Sequence, residues 1–258
     1  MSTINSELVP LNNPNFVPFG CYDDVKMIIE RKMFYPFMIS GETGNGKTHM
    51  IEQACHETGR ELVRVNITVE SDEDSLMGGF RLENANTVYH KGPVLEAMER
   101  GAVLLLDEID LGSPARIMCL QSILEGKPYF IKRTGEFVEP KPGFTIVATA
   151  NTKGRGDEDG NYVATNFLNE AFLERFAILF EHDYPPRNVE VEILKKHLGS
   201  LDMGSEDDIE FADILTKFAE QVRKSRKETA GFDHTISTRR LIHIINSYSI
   251  FGRNRKKA

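Results

Sequence analysis

Residues 41–48 read GETGNGKT, and no other stretch restricts the fold of this chain so strongly. The run before it, from Phe34 through Pro36 to Ile39, is apolar and aromatic, which predicts a buried strand over 35–40. The run after it turns apolar at helical spacing and predicts a helix over 47–58. Strand, glycine loop and helix in that order make an anion cradle. Gly41, Gly44 and Gly46 let the backbone curl so that its N–H groups point inward, with Glu42, Thr43 and Asn45 between them. The helix start at Lys47, Thr48 and His49 adds unpaired amides and the positive end of a dipole. Lys47 can reach the outer phosphates of a nucleotide, and the Thr48 hydroxyl can ligate magnesium.

A cradle becomes a hydrolase only with a metal partner and an activated water. "GAVLLLDEID" supplies both: Ala102 to Leu106 predict a strand that ends in Asp107 and Glu108. In a parallel sheet the strand C-termini line the ligand crevice, where the phosphate loop also sits. Asp107 can hold magnesium, and Glu108 can orient or deprotonate the attacking water. Asp110 is an alternative acid, but it lies past the strand end, where a structural role is expected. The strand "FTIVATAN" ends in Asn151, whose neutral amide can hold the water or sense the γ-phosphate without charge repulsion. Arg175 precedes a strand and Arg239 opens a helix capped by Ser237 or Thr238. Either arginine can stabilise charge on a transferring phosphate, and either can form an ordinary surface ion pair.

The chain has 258 residues, enough for one large or two modest domains. Apolar strands alternate with helices: strands are predicted at 35–40, 62–67, 102–106, 144–149 and 176–180, and helices at 22–33, 47–58, 92–100, 114–125 and 168–174. That alternation predicts an α/β fold with a parallel sheet. Beyond Pro185 and Pro186 only helical spacing appears, over 187–198, 206–226 and 237–250. The expected organisation is an irregular arm over 1–20, a nucleotide-binding core over 21–185 and a small helical lid over 186–258. Two excursions interrupt the core, one over 80–93 turning near Asn84 to Asn86, the other over 129–143 turning at Thr134 and Gly135.

Other function classes find less support. No apolar run approaches a membrane span, the N-terminus lacks a signal-peptide layout, and the three scattered cysteines suit a reducing cytoplasm. The seven histidines show no metal spacing. Net charge is −8, which does not favour general nucleic-acid binding. The charge is uneven, however: residues 223–258 hold 10 Lys/Arg and 2 Asp/Glu, or +8, against −16 for the rest. The terminal "RNRKKA" can therefore touch a phosphate backbone or simply face solvent.

Together the stretches "GNGKTHMIEQAC", "RVNIT" with "DSLMGG", "HKGPVLEAMERGAVLLLDEID", "ATANTKGRGDEDGNYVATNFLNEAFLERF" and "STRRLI" resemble the AAA+ ATPases. Within them the chain is similar to the MoxR and chelatase branch, most of all to the ATPase subunit of aerobic cobaltochelatase. The resemblance spans roughly residues 10–250 and implies a P-loop core, an αβα sandwich on a five-stranded parallel sheet, with a C-terminal helical lid. It implies ATP and Mg2+ as ligands, Asn151 as sensor 1, Arg175 as a finger reaching a neighbour's ATP, and Arg239 as the sensor-2 arginine. The two excursions match that branch's helix-2 insert and pre-sensor-1 hairpin. A homo-oligomeric ring, commonly a hexamer, is implied, as is a partner carrying a von Willebrand A-type domain. The resulting expectation is an ATP-driven motor that remodels a protein partner. The rivals are a nucleic-acid-associated loader, resting on the basic C-terminus, and a nucleotide-dependent scaffold, against which Glu108 argues.

Overall fold

A computed structural model describes residues 8–152, 166, 168–228 and 235–258. The chain runs α1 (Tyr22–Glu30), β1 (Phe37–Ser40), α2 (Lys47–Glu57), β2 (Leu62–Asn66), α3 (Glu73–Met77), β3 (Gly78–Glu83), β4 (Asn86–Lys91), α4 (Pro93–Arg100) and β5 (Val103–Asp107). It continues through α5 (Pro114–Ile117), α6 (Gln121–Leu124), β6 (Tyr129–Ile131), β7 (Glu136–Val138), β8 (Thr145–Ala150), α7 (Glu170–Leu173) and β9 (Ile178–Glu181). Three longer helices follow, α8 (Arg187–Ser200), α9 (Glu206–Glu228) and α10 (Thr238–Ile250). Part of the long "ATANTKGRGDEDGNYVATNFLNEAFLERF" similarity, residues 153–165 and 167, and the first seven residues of the arm lie outside the described residues.

The five parallel strands form one sheet in the order β2-β5-β8-β1-β9. Successive side chains of a strand point to opposite faces, and here both faces are covered. Met38, Leu104, Leu106, Ile146 and Ala148 pack with α4, α5 and α6 through Leu95, Met98, Ile117 and Ile123. Phe37, Ile39, Val103, Leu105 and Val147 pack with α1 and α2 through Val25, Ile29, Met50, Ile51 and Ala54. This is why β1, β5 and β8 are buried along their whole length and read as continuous apolar runs. Truncating a fully buried side chain such as Leu105 to alanine costs about 2–5 kcal/mol. A third cluster, built on Leu194, Leu198, Phe211, Leu241, Ile245 and Tyr248, holds α8, α9 and α10 together.

Some elements differ from expectation. The predicted helix over 22–33 ends at Glu30, because Lys32 adopts a left-handed φ of 54° that cannot continue a helix. The predicted 114–125 helix is α5, a 3-10 turn over Met118–Leu120, and α6. The last strand runs Ile178–Glu181, two residues later than its predicted start, because the Ala177 amide first bonds to Pro36 O outside the ladder. Both excursions are antiparallel hairpins. The β3–β4 turn is made by Asn84 and Ala85, both with positive φ (48° and 64°), the twist that closes a two-residue hairpin. A salt bridge joins the two hairpins, with Lys91 Nζ 2.7 Å from both Glu99 and Glu136.

Candidate functional site

The site forms where β1, β5 and β8 end side by side. Ser40 pairs with Ala150 in register, and the Gly41 amide donates to Ala150 O at 3.2 Å. The phosphate loop therefore leaves the sheet directly beside Asn151. A β-carbon on Gly41 would lie 2.0 Å from the His182 carbonyl oxygen, so only glycine lets the loop pass. Asn45 holds the same carbonyl, its Nδ2 donating at 2.5 Å. The loop ends at Gly46, and α2 starts at Lys47, which brings its first-turn amides to the cradle.

Lys47 is 7 % exposed, and its ammonium donates to Gly41 O at 2.6 Å and Glu42 O at 2.9 Å. It also donates to Asn151 Oδ1 at 3.3 Å. Burial pushes the ammonium down to about 8, against the pull of the Asp110, Asp107 and Glu108 carboxylates, and the Arg239 charge lowers it further.

Asp107 is 4 % exposed at the end of β5. The Thr48 hydroxyl donates to its carboxylate at 3.2 and 3.3 Å. Thr149 on β8 also donates to Asp107, and its hydroxyl accepts the Glu108 amide at 3.0 Å. Glu108 itself has φ 58°, a left-handed conformation that is strained for a non-glycine residue and frequent at functional sites. Its half-buried side chain has no hydrogen-bond or ion-pair partner among the described residues. Asp110 is fully buried, and its Oδ2 accepts the Asn151 and Thr152 amides at 3.0 and 2.9 Å. It holds the end of β8 in place, the structural role its position implied.

The lid folds back onto the loop. The Arg239 amide donates to Gly44 O at 3.2 Å, and a β-carbon on Gly44 would meet Ser237 at 2.8 Å. Arg226 on α9 pairs with Glu42 at 2.8 Å, and the Tyr184 hydroxyl donates to Thr43 O at 2.9 Å. Arg223 lies 4.0 Å from the Tyr184 ring centroid and pairs with buried Glu190. Arg175 is elsewhere: its Nε donates to Glu125 at 2.9 Å and its guanidinium to Ala171 O, with no described contact to the loop. The His49 side chain, 70 % exposed, bonds to Glu52 at 3.2 Å and leaves only its backbone to the cradle.

Sequence reasoning missed Arg64, Thr149 and Arg226. Arg64 Nη2 donates to Asp107 Oδ2 at 2.6 Å. Its signal was available: it is the one charge in the Leu62–Asn66 strand.

The donor set suits the ligands the loop implies. Glycines open the cradle where a side chain would fill it. Thr48 and Asp107 together present hard oxygens, which suit magnesium, an ion that takes one or two protein ligands and fills its remaining positions from phosphates and water. Among the described residues no cluster of three or more His, Cys, Asp or Glu offers an all-protein metal site, and no helix is long and apolar enough to cross a membrane.

Residues 36–176, more than half of the chain, match the family model described as AAA domain (dynein-related subfamily). An uncharacterized protein of Staphylococcus epidermidis is 29% identical over 234 residues, covering 86% of this chain and 81% of that one. Among solved structures, a RuvB mutant of Thermotoga maritima superposes with a TM-score of 0.62 at 16% identity, over 97% of this chain and 70% of the other. NtrX of Brucella abortus in complex with ADP gives 0.61 at 17% identity, over 95% of this chain and 54% of that one. At these identities the structural likeness concerns the fold: a parallel five-stranded sheet flanked by helices, with a helical C-terminal region.

Proposed function

The chain belongs to the dynein-related AAA family, and from that premise we propose that it is a Mg-dependent ATPase of the MoxR and cobaltochelatase-subunit type. The observation that carries this reading is the meeting of Lys47, Thr48, Asp107, Glu108 and Asn151 at the C-terminal ends of β1, β5 and β8. In that arrangement the loop amides and Lys47 bind and orient the phosphates. Thr48 and Asp107 would hold magnesium, which neutralises charge on the phosphate oxygens when bound. Glu108, half-buried beside them, takes the proton of the attacking water, and Asn151 orients that water through its amide. Arg239, whose backbone touches Gly44, acts on the nucleotide of its own subunit. Arg175, held by Glu125 away from the loop, acts on a neighbour's nucleotide in a homo-oligomeric ring, most simply a hexamer.

Turnover in such a ring moves the lid through Arg239, Arg226 and Tyr184 and shifts the two hairpins against a protein partner, of which a von Willebrand A-type domain is the proposed kind. The hairpins suit contact of this sort, since Phe80, Leu82, Phe130 and Phe137 are exposed on them. A nucleic-acid partner fits less well. Arg255 pairs with Glu210 at 2.8 Å and Arg253 lies 3.6 Å from Asp208, which engages two cations of the basic C-terminus within the chain. The reading is tested by phosphate release from Mg-ATP by wild-type and Lys47→Ala protein. Release that depends on Lys47 is expected; equal release by the two would point to a contaminant and remove the proposal.

A further inference from the structure

Arg64 has no part in the mechanism above, yet it donates to the Asp107 carboxylate at close range, 2.6 Å from Nη2 to Oδ2. A buried carboxylate is costly without a counter-charge. Thr48 and Thr149 offer Asp107 hydroxyls, which carry none. Lys47 directs its ammonium at Gly41 O, Glu42 O and Asn151 instead. Among the described residues Arg64 is therefore the only cation bonded to Asp107.

The position of Arg64 lets it leave. It stands on β2, one of the two edge strands of the sheet, and its side chain is 48 % exposed. Its other terminal nitrogen lies 3.5 Å from Glu52 Oε1 on α2. The guanidinium thus spans two carboxylates, a buried one at the metal end and a more exposed one beside solvent. Moving off Asp107 keeps the pair with Glu52.

We propose that Arg64 is a removable counter-ion that reserves Asp107, so that a divalent cation joins the site together with nucleotide rather than ahead of it. The proposal rests on the ATPase reading. A lone divalent cation would meet Arg64 on its ligand and Lys47 close by, with three positive centres in a poorly solvated corner. A cation bound to a nucleotide brings phosphate charge that offsets all three. Arg64 then pairs with Glu52, and Asp107 turns to the metal. Arg64 is on this account a positioning residue, acting through Asp107 on the order of binding.

Manganese serves as the probe, with free Mn2+ measured by its electron paramagnetic resonance signal, in the presence and absence of ADP. Arg64→Gln and Arg64→Met both keep the stem over β2 and remove the charge, so two variants guard against a substituent that bonds to Asp107 itself. Without nucleotide, wild type should bind Mn2+ weakly, and both variants should bind it about tenfold or more tightly, the scale of one charge-assisted contact. With ADP, all three should agree within about threefold, because the phosphate charge offsets the repulsion that the counter-ion exerts on a lone cation. Arg64→Lys, which keeps the charge, should behave as wild type without nucleotide. Equal nucleotide-free Mn2+ affinity in wild type and both neutral variants would overturn the counter-ion role while leaving the ATPase reading intact. Loss of Mn2+ from both neutral variants even with ADP would make Arg64 a structural strap and also overturn it. Failure of the wild type to bind Mn2+ with ADP present would overturn both.

Discussion

Lys47 Nζ lies 3.3 Å from Asn151 Oδ1, although 104 residues separate the two in the chain. The contact exists because β1 and β8 are hydrogen-bonded neighbours whose C-terminal ends lie level. It brings together the proposed phosphate-binding cation and the proposed water-orienting amide, whose variants should separate binding from chemistry. Lys47→Ala should weaken ATP binding about 10–100-fold, the worth of a charge-assisted contact. Asn151→Ala should keep binding within a few-fold and lower turnover by about 100-fold. Titration calorimetry with a slowly hydrolysed analogue, run beside phosphate release, reads both. Equal binding loss in the two variants would contradict the division of roles.

The lid contact makes a second prediction. Gly44 has φ 71°, and a β-carbon there would press on Ser237 and on the Arg239 stem at 2.8 and 3.2 Å. Gly44→Ala should cost about 1–2 kcal/mol from backbone handedness alone. It should also loosen the start of α10, seen as faster amide exchange at 237–241 than elsewhere in the lid. Unchanged exchange there with lowered stability would mean that the strain stays in the loop and the lid does not feel it.

A third prediction concerns acid. His182 is 2 % exposed beneath the loop, with its ring 4.6 Å from Phe19 and its carbonyl held by Asn45. Burial, and then the nearby Lys47 charge, lower its pKa to about 4. The unfolded chain takes up this proton near pH 6.5 and the folded chain only near 4. Between those values the unfolded state binds more protons, so stability falls as pH falls. The loss should be on the order of 2–3 kcal/mol across the window. His182→Gln should flatten that part of the stability curve measured by urea unfolding. A curve of the same slope in the variant would assign the acid sensitivity to other groups.

The parts of this site that sequence reveals are those set by local chemistry. The loop from Gly41 to Thr48 needs glycine where a carbonyl passes at close range, and β5 and β8 are continuous apolar runs because helices cover both faces. What stays hidden depends on long-range packing. The pair of Arg226 with Glu42 spans 184 residues, and the bond from Tyr184 to Thr43 spans 141, so no periodicity announces either. Arg64 is an intermediate case, visible as one charge in an apolar strand but assignable only once β2 lies beside β5 with Asn66 opposite Asp107. Short α3 escapes a periodic reading, although its capping box between Asp72 and Ser75 is a local signal. His49 shows the converse: its place beside Thr48 suggests the cradle, while helix geometry turns its ring to solvent.

The two arginines make a fourth prediction, because they should fail in different ways. Subunits carrying Lys47→Ala keep Arg175 but lack a working cradle, and Arg175→Ala subunits have the reverse defect. If the proposed ring forms, mixed rings place a sound cradle against a sound finger at some boundaries, so part of the ATPase activity should return. Mixing Lys47→Ala with Arg239→Ala should recover much less, because Arg239 lies over the cradle of its own chain. Equal rescue in both mixtures, with mixed rings verified by mass, would refute the split between neighbour and self.

On the proposed reading, Glu108 decides whether the assembled groups perform hydrolysis or only hold nucleotide. Its backbone is held in a left-handed conformation, its amide bonded to Thr149, next to the hydrogen-bonded pair Asp107 and Thr48 proposed to hold the metal. Glu108→Gln keeps shape and removes the base. Steady-state phosphate release from Mg-ATP, measured beside analogue binding on the same preparations, is the most direct test. The variant should bind within about threefold of wild type and release phosphate about 100-fold more slowly or less. Release at the wild-type rate by Glu108→Gln, or none by the wild type in any oligomeric state while it binds Mg-ATP, would contradict the assignment of this chain as an ATPase.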